Sequence, residues 1–472
     1  MYRKPISWRS LCSVLFLTLA TVGGHAQERL PAANGASAAK PQTSATPRPN
    51  IYTGMPAAGV APKPVVDIVT PEETQSFYPR QGVLVETARG RVVMEQAASA
   101  SFNPASAVKL ATALDAIHTF GPRHRFSTVV WTNGEFDSAT NTIRGDLVVS
   151  GRDPSFNDAH ATTIARELNG MGVHTVTGDL IVAPQFTLNF SPSALRSGER
   201  FYDTLDATRR PPGATRAWQE NRRLAGDQMS LAATTPVPSV AVMGAVYVGT
   251  VPAGARVLVT HKSSTLVDIL KILLCYSNNF MAERLGDSMG GAAGLERFLI
   301  NEVKLAPADV RLASTSGLGI NRLSPRSMIK IYRALVAELA EHNLRTSDIL
   351  PVAGVDPGTL QKRFTSPQAR GSVIGKTGTL ARTDGGASAL VGETRTASGE
   401  TLYFVIFNQR GSVWRFRTEQ DRLVSQLQNE RGGPLAFNYI PRTMESRLVA
   451  TELTQTPGAR AVQGEEFEPE SN

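Results

Sequence analysis

The sequence predicts an α/β (α+β) chain in which one antiparallel sheet is covered by helices and a β-rich domain is inserted. Three observations predict it. Two strand patterns joined by a short turn stand at 82–96, and three more stand at 371–408. Helical periodicity fills much of the distance between them. From 123 to 261 the pattern turns β-rich, which marks the insert. The simplest fold pairs the first hairpin with the last three strands. A chain of 472 residues also exceeds one ordinary core, so two or more domains are expected.

Taken in order, Arg3, Lys4 and Arg9 precede an apolar run at 11–22, and Gly24-His25-Ala26 resembles a small-x-small cleavage site. The run is too short for a permanent span, so 1–26 reads as a secretory signal peptide and the mature protein as exported. Residues 27–75 hold eight prolines among Ala, Ser, Thr and Gly, which cannot bury a core and read as a disordered tether. Order begins near Phe77. Strands are expected at 82–87 and 91–96, with Ala88-Arg89-Gly90 as the turn.

A helix then starts near Ser106, because Asn103-Pro104-Ala105 is turn chemistry. Leu110, Leu114 and Ile117 keep helical spacing, and Gly121-Pro122 ends it. In the insert, 126–131, 143–149, 174–182 and 256–261 read as strands and 158–171 as a helix. The stretch 209–226, rich in Arg, Pro and Gly, reads as a long loop.

Leu266, Ile269, Leu270, Leu273 and Leu274 mark the next helix. Others follow Asn279, cover 293–303, and run from the Ser324-Pro325 cap to about Leu339. Strands return at 371–380, 387–393 and 402–408, and an amphipathic helix covers 414–428. The domains therefore read as 76–122 with 262–430, discontinuous, around an inserted 123–261. A turn-rich tail, 431–472, is acidic at its end.

Composition excludes several classes. The chain is 41% hydrophobic and 19% charged, as globular proteins are. Once Arg3, Lys4 and Arg9 leave with the signal segment, 46 basic residues face 41 acidic ones. With no Lys/Arg block, that excess describes a solvated basic surface and no nucleic-acid partner. It also suits peripheral contact with an anionic wall or membrane surface. Cys275 alone remains after cleavage, so no intramolecular disulfide is expected. Its place behind an apolar helix pattern predicts a buried structural thiol. None of the seven histidines forms HExxH or a close ligand pair, so no metal site is expected.

Chemistry begins at Ser106-Ala-Val-Lys109, where i, i+3 spacing puts a hydroxyl and an amine on one helix face. Acyl transfer by serine needs such a base, and burial with nearby cations keeps a lysine neutral enough to serve. Ser37 to Lys40 and Ser327 to Lys330 match the same pattern, the first in the tether and the second within a surface helix. Two further motifs separate Ser106 from them. Ser277-Asn278-Asn279 sits at a turn between helices, where a serine relays a proton and an asparagine amide holds a substrate amide. Lys376-Thr377-Gly378 is the only such triplet and lies on a strand. Its cation beside hydroxyls fits a terminal carboxylate, and the glycine lets substrate backbone lie along the strand. The N–H groups of Thr379 and Ser106 would form an oxyanion hole.

The order SxxK, SxN, KTG is the signature of penicillin-binding proteins and serine β-lactamases. The chain resembles the D-alanyl-D-alanine carboxypeptidase/endopeptidase family of class C low-molecular-weight penicillin-binding proteins (peptidase family S13). The carriers are Pro104-Ala-Ser-Ala-Val-Lys109, Gly145-Asp-Leu-Val-Val-Ser-Gly-Arg-Asp-Pro154 and Ser277-Asn-Asn-Phe-Met-Ala-Glu283. Leu350-Pro-Val-Ala-Gly-Val355, Gly358-Thr-Leu360 and Gly375-Lys-Thr-Gly-Thr-Leu380 complete them.

The resemblance implies a β-lactamase/transpeptidase-like fold, with 76–122 and 262–430 as its catalytic domain. It implies cleavage of the terminal D-Ala from peptidoglycan stem peptides, often with cleavage of D-alanyl cross-links, in the periplasm. By the same match Ser106 is the acylated nucleophile, Lys109 its base, and Ser277 the proton shuttle to the leaving group. Asn279 would orient substrate, and Lys376, Thr377, Gly378 and Thr379 would bind its carboxylate end. Penicillins and other β-lactam antibiotics would acylate Ser106, and no metal or organic cofactor is implied.

The chain departs from the family in two places. Only 168 positions separate Lys109 from Ser277, fewer than in the best-known members, which implies a reduced insert. Where the family reads Asp-Gly-Ser-Gly-Leu-Ser, this chain has Ser314-Thr-Ser-Gly-Leu-Gly319. Two rivals remain beside the peptidase, a β-lactamase and a weakly active wall-binding relative. Gly371-Ser-Val-Ile-Gly-Lys-Thr377 is no P-loop, because Arg370 holds the place of its first glycine and the segment continues as a strand. No G-x-S-x-G elbow occurs.

Overall fold

A computed structural model describes residues 80–226 and 237–455. The expected signal peptide, the tether and the acidic end of the tail lie outside the described residues. All that is described belongs to one unit, Pro71–Asn472.

The chain opens with β1 (Arg80–Thr87) and β2 (Val92–Gln96), a 3-10 turn over Ala105–Val108, and α1 (Lys109–Phe120). The insert then supplies β3 (Ser127–Thr132), β4 (Glu135–Asp137), β5 (Thr142–Arg144), β6 (Leu147–Gly151) and α2 (Asp158–Gly170). After β7 (Thr175–Val176) and β8 (Leu180–Val182) come α3 (Ala194–Leu205) and α4 (Pro212–Leu224). It closes with β9 (Ala241–Val242), β10 (Val246–Val248) and β11 (Arg256–Lys262).

Helices α5 (Leu266–Tyr276), α6 (Asn279–Asp287) and α7 (Gly291–Asn301) follow, then the short pair β12 (Val310–Arg311) and β13 (Arg322–Leu323). Next are α8 (Pro325–Glu341), α9 (Thr346–Ile349), β14 (Val373–Leu380), β15 (Ala387–Arg395) and β16 (Thr401–Gln409). The described chain ends through α10 (Val413–Asn429), α11 (Met444–Leu448) and β17 (Glu452–Gln455).

The principal sheet has the order β14-β15-β16-β1-β2 and is antiparallel throughout, the pairing expected of the first hairpin and the last three strands. It is covered on both faces. Successive residues of a strand point to opposite sides. Leu84, Val391, Val405 and Phe407 accordingly join the core under α1, α5 and α8, whereas Val83, Val85, Leu390, Phe404 and Ile406 pack with Val424 and Leu427 of α10. Helix α1 is buried over Lys109 to Ile117, polar Lys109 and Thr112 included, so it runs through the core instead of across the surface.

The insert has its own core and two sheets, β10-β8-β6-β3-β11-β17 and β4-β5-β7-β9. Two expectations for it are corrected. First, the strands read at 143–149 and 174–182 are each broken in two. Gly145 and Gly178 stand at the breaks, so close that a Cβ on Gly178 would lie 2.5 Å from the Gly145 carbonyl oxygen. Gly244 repeats the device between β9 and β10, 2.5 Å from the Gly178 carbonyl oxygen by the same measure. Chains cross between the sheets along this row of glycines, because only glycine backbones approach so closely.

Second, the loop expected at 209–226 is largely helix α4. Its prolines lie at the N-terminal end, where no intrahelical N–H is required, and Ala214 and Trp218 bury one face. With α2, α3 and α4 the insert is a mixed domain.

The tail is corrected as well. Instead of a turn-rich end, residues 444–455 form α11 and β17, and β17 adds an antiparallel edge to β11. Arg447 donates to Asp268 of α5 at 2.7 Å in a buried contact. Short elements of this kind carry little periodicity and form because a sheet edge and a buried carboxylate await them. Among the described residues no helix is long and apolar enough to cross a membrane.

Candidate active site

Ser106 lies on the 3-10 turn that leads into α1, and the chain enters that turn under constraint. Ala105 has φ 48°, a left-handed conformation that a non-glycine residue adopts only when its surroundings hold it there. Asn103 does part of the holding. Its Oδ1 accepts from the Ala105 N–H at 3.0 Å, and its Nδ2 donates to Asp384 at 2.7 Å and to the Gly319 carbonyl at 3.0 Å. Asp384 in turn takes both terminal nitrogens of Arg322, at 2.8 and 3.0 Å.

Two glycines press on the same turn. A Cβ on Gly317 would stand 2.0 Å from the Ala105 carbonyl oxygen, and one on Gly378 would stand 2.5 Å from that of Pro104. This corrects the reason given for Gly378 from sequence. The residue is buried, and its missing side chain admits the backbone of the Ser106 turn against β14.

Lys109 is fully buried one turn below Ser106. Its Nζ lies 3.1 Å from Ser106 Oγ, 2.7 Å from Asn279 Oδ1 and 2.5 Å from the Ser316 carbonyl oxygen. Burial lowers its pKa to about 7, against a smaller upward pull from the Glu283 carboxylate. A neutral amine has two hydrogens and one lone pair. Asn279 Oδ1 and the Ser316 carbonyl can only accept, so they take both hydrogens, and the lone pair faces the Ser106 hydroxyl. A proton acceptor is thus aimed at the Ser106 hydroxyl by its other two partners. Glu283 fixes the second of these, accepting from the Ser316 N–H at 3.1 Å and the Thr315 hydroxyl at 2.8 Å.

Ser277 caps α5 in the left-handed conformation, φ 55°, and Asn278 caps α6 by accepting from the Met281 N–H at 3.0 Å. The sharp turn between two helices brings Ser277 and Asn279 to opposite lysines. Lys376 Nζ donates to Ser277 Oγ at 2.8 Å and to the Thr377 carbonyl at 2.7 Å. Lys376 is wholly buried, and burial, then the Lys109 charge, hold its pKa well below the usual lysine value. The structure therefore brings Ser106, Lys109 and Asn279 into one hydrogen-bonded group and Ser277 with Lys376 into another.

Thr377 is buried beside Lys376, and Thr379 stands at the accessible end of the strand, donating to the Gly378 carbonyl at 2.8 Å. Cys275 is the expected buried thiol, its pKa raised by burial to about 12.

Three contributors escaped the sequence reading. Ser316 acts through its carbonyl, which every residue owns, and Glu283 stood inside a quoted motif with no role attached. Arg417 of α10 donates to Thr379 Oγ1 at 2.8 Å, yet in sequence it is one more arginine on a polar helix face.

An antiparallel sheet under helices, with a serine hydroxyl 3.1 Å from a buried lysine amine at its edge, is the arrangement of the active-site-serine hydrolases. The profile of the D-Ala-D-Ala carboxypeptidase 3 (S13) family matches residues 76–188 and 204–429. The chain belongs to that family, and with it to the serine-type D-Ala-D-Ala carboxypeptidases.

Among its relatives, a D-alanyl-D-alanine carboxypeptidase of Actinomadura sp. is 28% identical over 425 residues, 69% of this chain and 77% of the relative. A carboxypeptidase of Mycobacterium tuberculosis is 25% identical over 376 residues, 73% and 79% of the two chains. Among solved structures, a penicillin G-acylated predatory endopeptidase from Bdellovibrio bacteriovorus superposes with a TM-score of 0.66 at 21% identity. That superposition covers 80% of this chain and all of the other. Penicillin binding protein 4 of Haemophilus influenzae gives 0.54 at 21% identity, over 74% and 96%. At these identities the structures establish the shared fold.

Proposed function

We propose that this protein removes the terminal D-alanine from peptidoglycan stem peptides through an acyl-enzyme on Ser106, and that it also opens D-alanyl cross-links. The observation that carries the reading is the Lys109 amine, whose two hydrogens are taken by Asn279 Oδ1 and the Ser316 carbonyl while Ser106 Oγ lies 3.1 Å away. Lys109 accepts the Ser106 proton as Oγ attacks the penultimate D-alanyl carbonyl. The oxyanion forms against the N–H groups of Ser106 and Thr379, the start of the helical run favouring negative charge there.

Ser277, held by Lys376, passes its hydroxyl proton to the departing amine of the last D-alanine and is reprotonated by the proton that Lys109 took from Ser106. Water then hydrolyses the ester, giving one proton through Lys109 back to Ser106 Oγ. Asn279 and Thr377 hold the peptide. β-Lactams enter the same path and remain as the Ser106 ester. The basic start and the apolar run at 11–22 support export to the periplasm, where this substrate lies.

Fluorescent penicillin tests the assignment on the purified protein and on Ser106→Ala. Label on the first and none on the second is expected, and an unlabelled intact protein overturns the reading. Rapid loss of the label would mark a β-lactamase instead. Digestion of purified muropeptides then measures terminal D-alanine release against cross-link cleavage.

A further inference from the structure

We propose that Arg417 is the receptor for the free C-terminal carboxylate of the substrate, and that it makes the site prefer peptides ending in one. This rests on the assignment of Ser106 as nucleophile. From sequence that duty fell to Lys376 with Thr377, Gly378 and Thr379, but Lys376, the only cation among them, is wholly buried and uses its amine on Ser277 Oγ and the Thr377 carbonyl. Lys109 is equally buried and equally engaged. Of these three cations beside the KTG strand, only Arg417 is open to solvent.

Its placement fits the task. Arg417 Nη2 donates to Thr379 Oγ1 at 2.8 Å, at the end of the strand just past Gly378, where the last residue of a peptide lying along β14 would arrive. The Thr379 hydroxyl gives its hydrogen to the Gly378 carbonyl, so toward Arg417 it can only accept.

No carboxylate pairs with Arg417 among the described residues. The neighbouring Asp421 is taken by Arg363, Nε to Oδ1 at 2.7 Å. Burial, and next the Arg363 charge, press the Arg417 pKa downward against a smaller upward pull from Asp421. An exposed guanidinium whose nearby carboxylate is engaged by Arg363 can take a bound carboxylate, and its planar fork matches one in two-point contact.

The test compares paired probes that differ in one charge. Benzylpenicillin and its methyl ester report acylation of Ser106, and peptides ending in D-Ala-D-Ala carboxylate or amide report turnover. In Arg417→Ala the rate constants for the two acids should fall about 10- to 100-fold, while those for ester and amide stay within about twofold. Arg417→Lys should keep part of the preference.

A parallel fall for charged and uncharged probes would show a supporting role and overturn the proposal. So would unchanged rates for the acids. If the unaltered protein takes no label at Ser106, the nucleophile assignment itself fails, and this outcome is distinct from a failure confined to Arg417.

Discussion

Lys109 and Gly378 show how far single residues control this site. When neutral, Lys109 gives its hydrogens to two carbonyl-type oxygens and turns its lone pair to Ser106. Because its pKa is lowered to about 7, the neutral fraction rises with pH through that value. Acylation by penicillin should therefore climb about tenfold per pH unit below 7 and level off above it. The Glu283 charge pulls that pKa upward, so Glu283→Gln should move the inflection to lower pH, read from labelling rates across pH 5–9.

Gly378→Ala should act by another route. Its Cβ would meet the Pro104 carbonyl oxygen at 2.5 Å, displacing the Ser106 turn from β14. A loss of about 1–3 kcal/mol in stability is expected with a tenfold or greater loss of labelling rate. A variant as stable and reactive as the parent would refute the packing account. At this scale the side chains of the three motifs were legible because their chemistry has a fixed spacing. The Ser316 carbonyl was not, since a backbone group leaves no mark in composition.

Among the elements, α5 matters most, because Ser277 is its last cap. The helix is clamped from the side by the 350–360 segment. Lys271 Nζ donates to the Ser347 and Leu350 carbonyls at 2.8 and 2.7 Å and to Asp356 at 2.7 Å, with Lys271 and Asp356 both fully buried. Asp356 also accepts from the Val352 N–H and the Tyr439 hydroxyl, each at 2.8 Å. The Thr359 N–H then ties this segment to the Cys275 carbonyl at 2.9 Å.

Asp356→Ala would strand a buried ammonium, so a loss of about 3–5 kcal/mol is expected in denaturant melts. Tyr439→Phe removes one hydrogen bond from an ion pair that stays intact and should cost only about 1 kcal/mol. Equal losses from the two would contradict the clamp. The major helices and the five strands of the principal sheet were legible from periodicity, since each has a clear apolar face. Helix α4 was not, because its arginines and prolines resemble a loop until Ala214 and Trp218 find a surface to bury against.

Across the whole molecule, the insert and the segment that ends in α11 meet around two buried histidines. His160 and His261 stand with ring centroids 4.7 Å apart, and His160 Nε2 contacts the Leu448 carbonyl at 3.2 Å. Burial lowers His160 to about 4, and burial with the His160 charge holds His261 well below its usual value. Groups depressed in the folded state bind fewer protons there than in the unfolded chain. Their contribution is therefore full above about pH 6.5 and is lost as pH falls toward 4, about 3 kcal/mol for His160.

Asp153, raised by burial to about 6, works in the opposite sense over the same range, so the comparison must be between variants. His261→Phe should lose less stability than the parent between pH 6.5 and 4 in urea melts. An unchanged pH slope would show that the pair does not titrate on folding.

The sequence by itself determined the alternation that builds the principal sheet, the helices over it, and the side-chain chemistry of Ser106, Lys109, Ser277, Asn279 and the KTG strand. Periodicity and spacing are local properties, and a single chain displays them unaided. Tertiary structure decided what those groups do to one another. It turned the Lys109 lone pair by means of a distant carbonyl, engaged Lys376 with Ser277, set Gly378 against the backbone of the Ser106 turn, and placed Arg417 on Thr379 with no ion-paired carboxylate among the described residues. Each depends on which segments of the chain meet, 38 residues apart for Arg417 and Thr379 and 207 for Lys109 and Ser316, and burial and hydrogen bonding exist only after they have met.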